Sequence, residues 1–208
     1  MSIVQKYLPN FRKAVLLALF YAGLAFAYSF IGFLHPEIGS HYHEYVPPKL
    51  VIEIVGHFTF GFIAALPFFD IEISFLTGAA AVLIDTDHIL SALDLNITGR
   101  PDHSFLFFAV SAVVLIYFAK RLHLPRSFIT KLAFFAPVVL FLHISYGIFS
   151  GTGSSFQLLI PFSFETFDLP YYDWIVFEAA ALSLSLIGYL YVRKKEKKPY
   201  LTRSQHFT

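Results

Sequence analysis

The residues able to do chemistry in this chain are histidines and carboxylates set inside apolar stretches. His57 lies in Val55-Gly56-His57-Phe58, Asp85, Asp87 and His88 fall late in the run that begins at Ile73, His103 follows Arg100 and Asp102, and His143 sits in Phe141-Leu142-His143-Ile144. Imidazole nitrogens and carboxylate oxygens suit zinc, manganese or iron, and a metal-bound histidine normally places its other ring nitrogen on a carboxylate or similar partner. The chain has nine histidines and no cysteine. Disulfides, thiolate nucleophiles and sulfur-ligated zinc are therefore excluded, and a soft-metal site must rest on histidines with carboxylates. Asp85 and His88, three residues apart, share a helix face, while Asp87 is rotated by roughly 160° from Asp85 and 100° from His88. One aspartate is thus placed to ligate and the other to orient.

The elements that carry these residues are membrane helices. The 208 residues are 57% hydrophobic and 14% charged, with a mean hydropathy of +0.65, outside the range of water-soluble domains. Six apolar stretches are visible: Ala14 to Leu34, Leu50 to Phe69, Ile73 to Leu95, His103 to Ala119, Ile129 to Ser150 and Trp174 to Val192. A tight turn at Asp70 separates the second from the third. Ala25-Phe26-Ala27 offers a small-x-small cleavage pattern, but the apolar run continues past it, so a retained anchor is expected. The fold class is all-α: a polytopic transmembrane bundle of about six helices, one integral membrane domain over residues 1–198 with a short polar tail at 199–208.

Lys and Arg concentrate in cytoplasmic loops of membrane proteins. Thirteen of the fifteen here fall in three segments: the head at Lys6, Arg12 and Lys13, the loop around Lys120, Arg121, Arg126 and Lys131, and the tail from Arg193 to Arg203. Both termini are then cytoplasmic, which places Lys49, Arg100 and most acids, Asp102 among them, on the outer side of the cell (inner) membrane. A formal net charge of +1 argues against nucleic acid as a partner. In this topology His57, Asp85, Asp87, His88, His103, His143 and Glu178 all fall in the outer layer, with Glu53 one turn above His57. A single buried histidine more often ties helices together than binds a metal. Several polar groups from five helices at one depth are costly unless something uses them. His35, His41 and His43 read as surface residues of a hydrated loop, and His123 and His206 as remote from this layer. The 26 phenylalanines read as packing and lipid-facing surface. Gly151-Thr152-Gly153-Ser154-Ser155 reads as a loop rather than a serine nucleophile paired with His143. Phe156 to Phe164 is too short to span and lies at the outer interface or re-enters over the site.

The order of these motifs resembles the bacterial and archaeal YdjM-like membrane-bound metal-dependent hydrolases, over roughly Gly56 to Ser163. Gly56-His57 matches an early helix histidine of that family, and Asp85-Thr86-Asp87-His88 an aspartate-x-aspartate-histidine at a helix end. Where that family has a loop ending in Thr-His-Ser this chain reads Arg100-Pro101-Asp102-His103-Ser104, and His143 followed by Pro161-Phe162-Ser163 matches a late histidine with a Pro-Phe-Ser-like stretch. Two family features are missing. The His-Arg pair before the loop histidine would fall on Thr98 and Gly99, with the arginine displaced to Arg100, and Tyr146 and Gly147 occupy the place of an aspartate after the late histidine. Glu53 or Glu178 are the available substitutes.

The resemblance implies a metal-dependent hydrolase, and the depth of the site points to a phosphoester or acyl ester of a lipid or lipid-linked substrate near the outer leaflet. His57, Asp87, His88, His103 and His143 would hold one or two divalent ions, zinc first, with manganese or iron also suited, which lower the pKa of water and polarise the scissile group. Asp85 would be general base or orient a ligand, and Arg100 would hold a phosphate by paired hydrogen bonds. Membrane lipid is the expected partner. The rival reading is a transporter of metal ions or protons using the same residues as a transit site. Transit needs polar groups at both leaflets, and the inner halves of the stretches are nearly free of them.

Overall fold

The computed structural model describes residues 10–34, 47–86, 100–151 and 155–196. It is a helical bundle. Among the described residues there are six α-helices: α1 (Phe11–Ser29), α2 (Pro47–Ala65), α3 (Ile71–Leu83), α4 (Phe105–Arg121), α5 (Arg126–Ser150) and α6 (Asp173–Glu196). Four of them, α1, α2, α5 and α6, are long and apolar enough to cross a membrane. With no water to satisfy backbone groups inside lipid, helices meet the demand internally, which is why apolar runs of this length fold in this way.

α5 is the central helix. It is buried over 72% of its span, against 33% or less for the other three crossing helices, and it packs along α6 while touching α2, α3 and α4. The phenylalanines divide as the sequence indicates: Phe68, Phe107, Phe128 and Phe135 are sealed in the core, whereas Phe69 and Phe105 face outward. α2 and α3 approach closely because glycine meets glycine. A Cβ on Gly61 would lie 2.9 Å from both the Gly78 Cα and the Thr77 carbonyl, and one on Gly78 would lie 2.8 Å from the Phe58 carbonyl. Without a hydrophobic drive between helices in lipid, such small-residue contacts are a principal source of packing energy.

α3 is shorter than the apolar stretch that contains it. At 13 residues it is only about 20 Å long, and its helical hydrogen bonding gives way at a 3-10 turn, Ile84–Thr86. There Asp85 adopts φ −78° and ψ 25°, close to the sparsely populated bridge region where many active-site residues sit. The rest of the stretch, 87–95, lies outside the described residues. α4 also starts later than the sequence indicates: His103 belongs to a separate 3-10 turn, Pro101–His103. Ser104 then caps α4 by accepting from the Phe107 amide at 3.3 Å, and this cap, with Pro101 fixing the turn before it, is the physical reason for the break.

The two ends of the bundle are built differently. At one, the turn expected at Asp70 is held by that residue. Its Oδ1 accepts from the Glu72 and Ile73 amides and so caps α3, while its Oδ2 receives Lys131 Nζ at 2.8 Å. Buried Glu72 accepts from the Asn10 amide at 2.6 Å. At the other end the segment after α5 folds back as a strap, closed by an antiparallel pair, β1 (Ser155–Phe156) with β2 (Phe167–Asp168). The strap is tied to the start of α4. The Phe105 amide donates to the Leu158 carbonyl at 2.9 Å, the Arg100 amide to Gln157 Oε1 at 3.3 Å, and Gln157 Nε2 to the Phe164 carbonyl at 3.1 Å.

Enlarging Gly61 should force α2 and α3 apart. Gly61→Leu is expected to destabilise the bundle by about 1–3 kcal/mol, the usual cost of overpacking; thermal unfolding in detergent, compared with Gly23→Leu at a position with open space, measures it.

Candidate metal centre

Four elements deliver one polar cluster at the strap end. His57 comes from α2, Asp85 from the turn after α3, His103 from the turn before α4, and His143 from the middle of α5. All three histidines are at most 5% exposed. The Asp85 carboxylate stands among them: Oδ2 is 3.4 Å from His57 Nε2, and Oδ1 is 3.3 Å from His103 Nε2 and 3.7 Å from His143 Nε2. The His57 and His143 rings are stacked, with centroids 4.3 Å apart and 8° between planes, and His103 meets His143 edge to face. One donor atom each from His57, Asp85 and His143 lies within 4.8 Å of the others, an arrangement that could hold a metal ion.

The outward nitrogens show which atoms are left for a ligand. His143 Nδ1 lies 3.3 Å from the Ala81 carbonyl, which can only accept, so Nδ1 carries the proton. His103 Nδ1 lies 2.7 Å from Asp102 Oδ1, and the carboxylate likewise calls for a proton on nitrogen. In the neutral rings both Nε2 atoms are then lone-pair acceptors, yet they face each other at 2.8 Å. Two lone pairs at that distance repel unless a positive charge lies between them, either an extra proton or a cation. The fixed Nδ1 partners are those that metal-bound histidines use.

Charge balance points the same way. The Asp85 carboxylate is ringed by His57, His103, His143 and the Arg100 guanidinium. It is an anion surrounded by donors of positive charge. Arg100 pairs with Asp85 Oδ1 through its guanidinium. Beside this pair a small cavity of about 40 Å³, lined by Arg100, His103, Ser155, Phe156, Gln157 and Thr166, has room for a few water molecules.

The structure thus brings together five residues singled out in the sequence: His57, Asp85, Arg100, His103 and His143. Asp87 and His88 lie outside the described residues. Of the two substitute carboxylates, Glu53 is near the cluster, with Oε2 3.7 Å from His57 Nε2, whereas Glu178 meets Ser145 on the α5–α6 contact. Tyr146 forms a wall of the site. Its ring packs edge-on against His57 at 4.4 Å and its hydroxyl donates to the Ile52 carbonyl at 3.2 Å. Gly56 makes room for it, because a Cβ there would collide with the Tyr146 hydroxyl.

Sequence reasoning missed Asp102, counted there only as an outer-side acid. It is fully buried, with Oδ1 on His103 and Oδ2 accepting from Ser29 Oγ of α1 at 3.3 Å. A proline immediately before an Asp-His pair was the available signal, since such a turn can aim the carboxylate at its neighbour's ring. Comparison with protein-family models, curated proteins and solved structures finds no match for this chain.

Asp102→Asn removes the negative charge behind His103 at nearly constant volume. Zinc affinity, measured by competition with a chromogenic chelator, is expected to fall about 10–100-fold, the usual effect of losing a carboxylate behind a ligating histidine; unchanged affinity would show that Asp102 does not orient the ring.

Proposed function

We propose that the chain is a metal-dependent membrane hydrolase that cleaves a phosphoester or acyl ester of a lipid or lipid-linked substrate at the outer leaflet, as the resemblance to YdjM-like hydrolases implies. The observation that carries the proposal is the convergence of three buried imidazoles, two with Nδ1 already committed, on one ionised carboxylate. Their Nε2 atoms with the Asp85 oxygens are a nitrogen and oxygen donor set suited to zinc. The sequence-derived ligand set also includes Asp87 and His88. A divalent ion bound here supplies Lewis acidity, acidifying water and polarising an ester.

The chain's own residues supply the rest. Asp102 and the Ala81 carbonyl fix the tautomers of His103 and His143. Asp85 offers a carboxylate next to three imidazoles, suited to holding a ligand or to taking a proton from water. Arg100 borders the cavity that opens beside His103, where a planar guanidinium can hold two phosphate oxygens at once. Phe156 of the strap lines this cavity with Arg100 and His103.

A transit function for metal ions or protons finds less support. Between the cluster and the far end lie sealed apolar side chains, including Phe68, Ile73, Leu76 and Phe135, and at the far end Asp70 and Lys131 are engaged with each other. Among the described residues these positions outline no hydrated path.

Metal analysis of detergent-purified protein is expected to find stoichiometric divalent metal, zinc first, with a clearly reduced content in His143→Ala. Turnover of a panel of phospholipids and lipid phosphates should be lost in the same variant. Intact lipids together with ion uptake into proteoliposomes would replace the hydrolase reading with transport.

A further inference from the structure

We infer that this cluster holds two metal ions, bridged by the carboxylate of Asp85, with Glu53 completing the second position; the inference rests on the metal-dependent reading above. The two oxygens of Asp85 address two different sets of donors. Oδ1 faces His103 Nε2 at 3.3 Å and His143 Nε2 at 3.7 Å. Oδ2 faces His57 Nε2 at 3.4 Å, and Glu53 Oε2 reaches the same nitrogen at 3.7 Å from one turn earlier on α2. Donors that share a tetrahedral zinc ion with bonds of 2.0–2.1 Å lie roughly 3.3 Å apart. The contacts of Asp85 Oδ1 with two nitrogens and of His57 Nε2 with two carboxylates, 3.3–3.7 Å, lie close to that spacing.

The closest approach, 2.8 Å between the Nε2 atoms of His103 and His143, is the lone-pair conflict that a cation on the Oδ1 side resolves. His57 Nε2 and Asp85 Oδ2 stand on the other side of the carboxylate, and Glu53 is the further carboxylate beside them. A carboxylate that gives one oxygen to each ion suits the separation of about 3.5–4 Å typical of paired sites in phosphoester-cleaving enzymes. Asp85 and Glu53 contribute two negative charges to the centre, and buried Asp102 stands behind His103, so two divalent ions are better compensated here than a single aspartate would allow. The Arg100 ion pair on Oδ1 is compatible with this assignment, because a carboxylate oxygen has two lone-pair directions.

The test counts metal on the full-length protein in detergent, stripped with chelator, reloaded with zinc and freed of excess by gel filtration. Wild type is expected to retain two equivalents, with Glu53→Gln and His57→Ala each retaining one and eluting at the wild-type position. Manganese-loaded wild type should show the exchange-coupled electron paramagnetic resonance signal of a close ion pair, and Glu53→Gln an uncoupled one. One equivalent in wild type, unchanged by Glu53→Gln, would overturn the paired site while leaving a single-metal enzyme standing. Two equivalents that survive both substitutions would overturn the assignment of Glu53 and His57, and no retained zinc would overturn both the pair and the metal-dependent reading beneath it.

Discussion

Two histidine nitrogens facing each other at 2.8 Å inside an apolar bundle set the terms for everything around them. Each ring is held from behind, His103 by Asp102 and His143 by the Ala81 carbonyl, so neither can turn its acceptor away. The conflict is maintained by the fold and is relieved by positive charge placed between the rings. Asp85 serves the same centre from the other sign: as a buried anion it favours whatever cation arrives, and in a medium with little water to screen it, that preference is strong. Buried polar groups of this kind are costly in a bundle and persist where something uses them.

Much of the surrounding architecture delivers these groups without exposing them. The glycine contact between α2 and α3 brings the two helices close, so that His57 and the turn beyond α3 can meet. That turn breaks from helical dihedrals at Asp85 itself, directing a side chain that a continuous helix would have aimed elsewhere. α1, with no histidine of its own among the described residues, still takes part through Ser29 on Asp102. At the far end, the Asp70 cap and its Lys131 partner close the bundle with a local charge pair. Polar groups are therefore sorted by end, structural at one and convergent at the other.

The bundle was legible in the sequence because hydropathy reports directly on the cost of exposing backbone and side chains to lipid or water. The cluster was partly legible for the same reason: His57, Asp85, Arg100, His103 and His143 stand out as ionisable residues at apolar stretches, and counting residues along each stretch put them at one depth. Continuity was not legible. Ile73 to Leu95 reads as one span, yet among the described residues the α-helix ends at Leu83 and passes into a 3-10 turn up to Thr86, since hydropathy carries no information on where backbone dihedrals change. Orientation was not legible either. Asp102 looks like any loop acid until the turn at Pro101 places it against His103, and nothing in the spacing of Glu53 and Glu178 tells which one reaches the histidines. Tyr146 reads as a departure from a motif, whereas in the fold it packs on His57 and hydrogen-bonds across to α2.

The central claim is that these imidazoles and Asp85 form a coordination site. X-ray absorption at the zinc edge, on protein loaded with zinc and freed of excess by gel filtration, tests it most directly. A shell of nitrogen and oxygen alone at about 2.0–2.1 Å is expected, with the outer-shell scattering of two or more imidazole rings. A spectrum of hydrated zinc without imidazole scattering, or protein that emerges free of zinc, would contradict it.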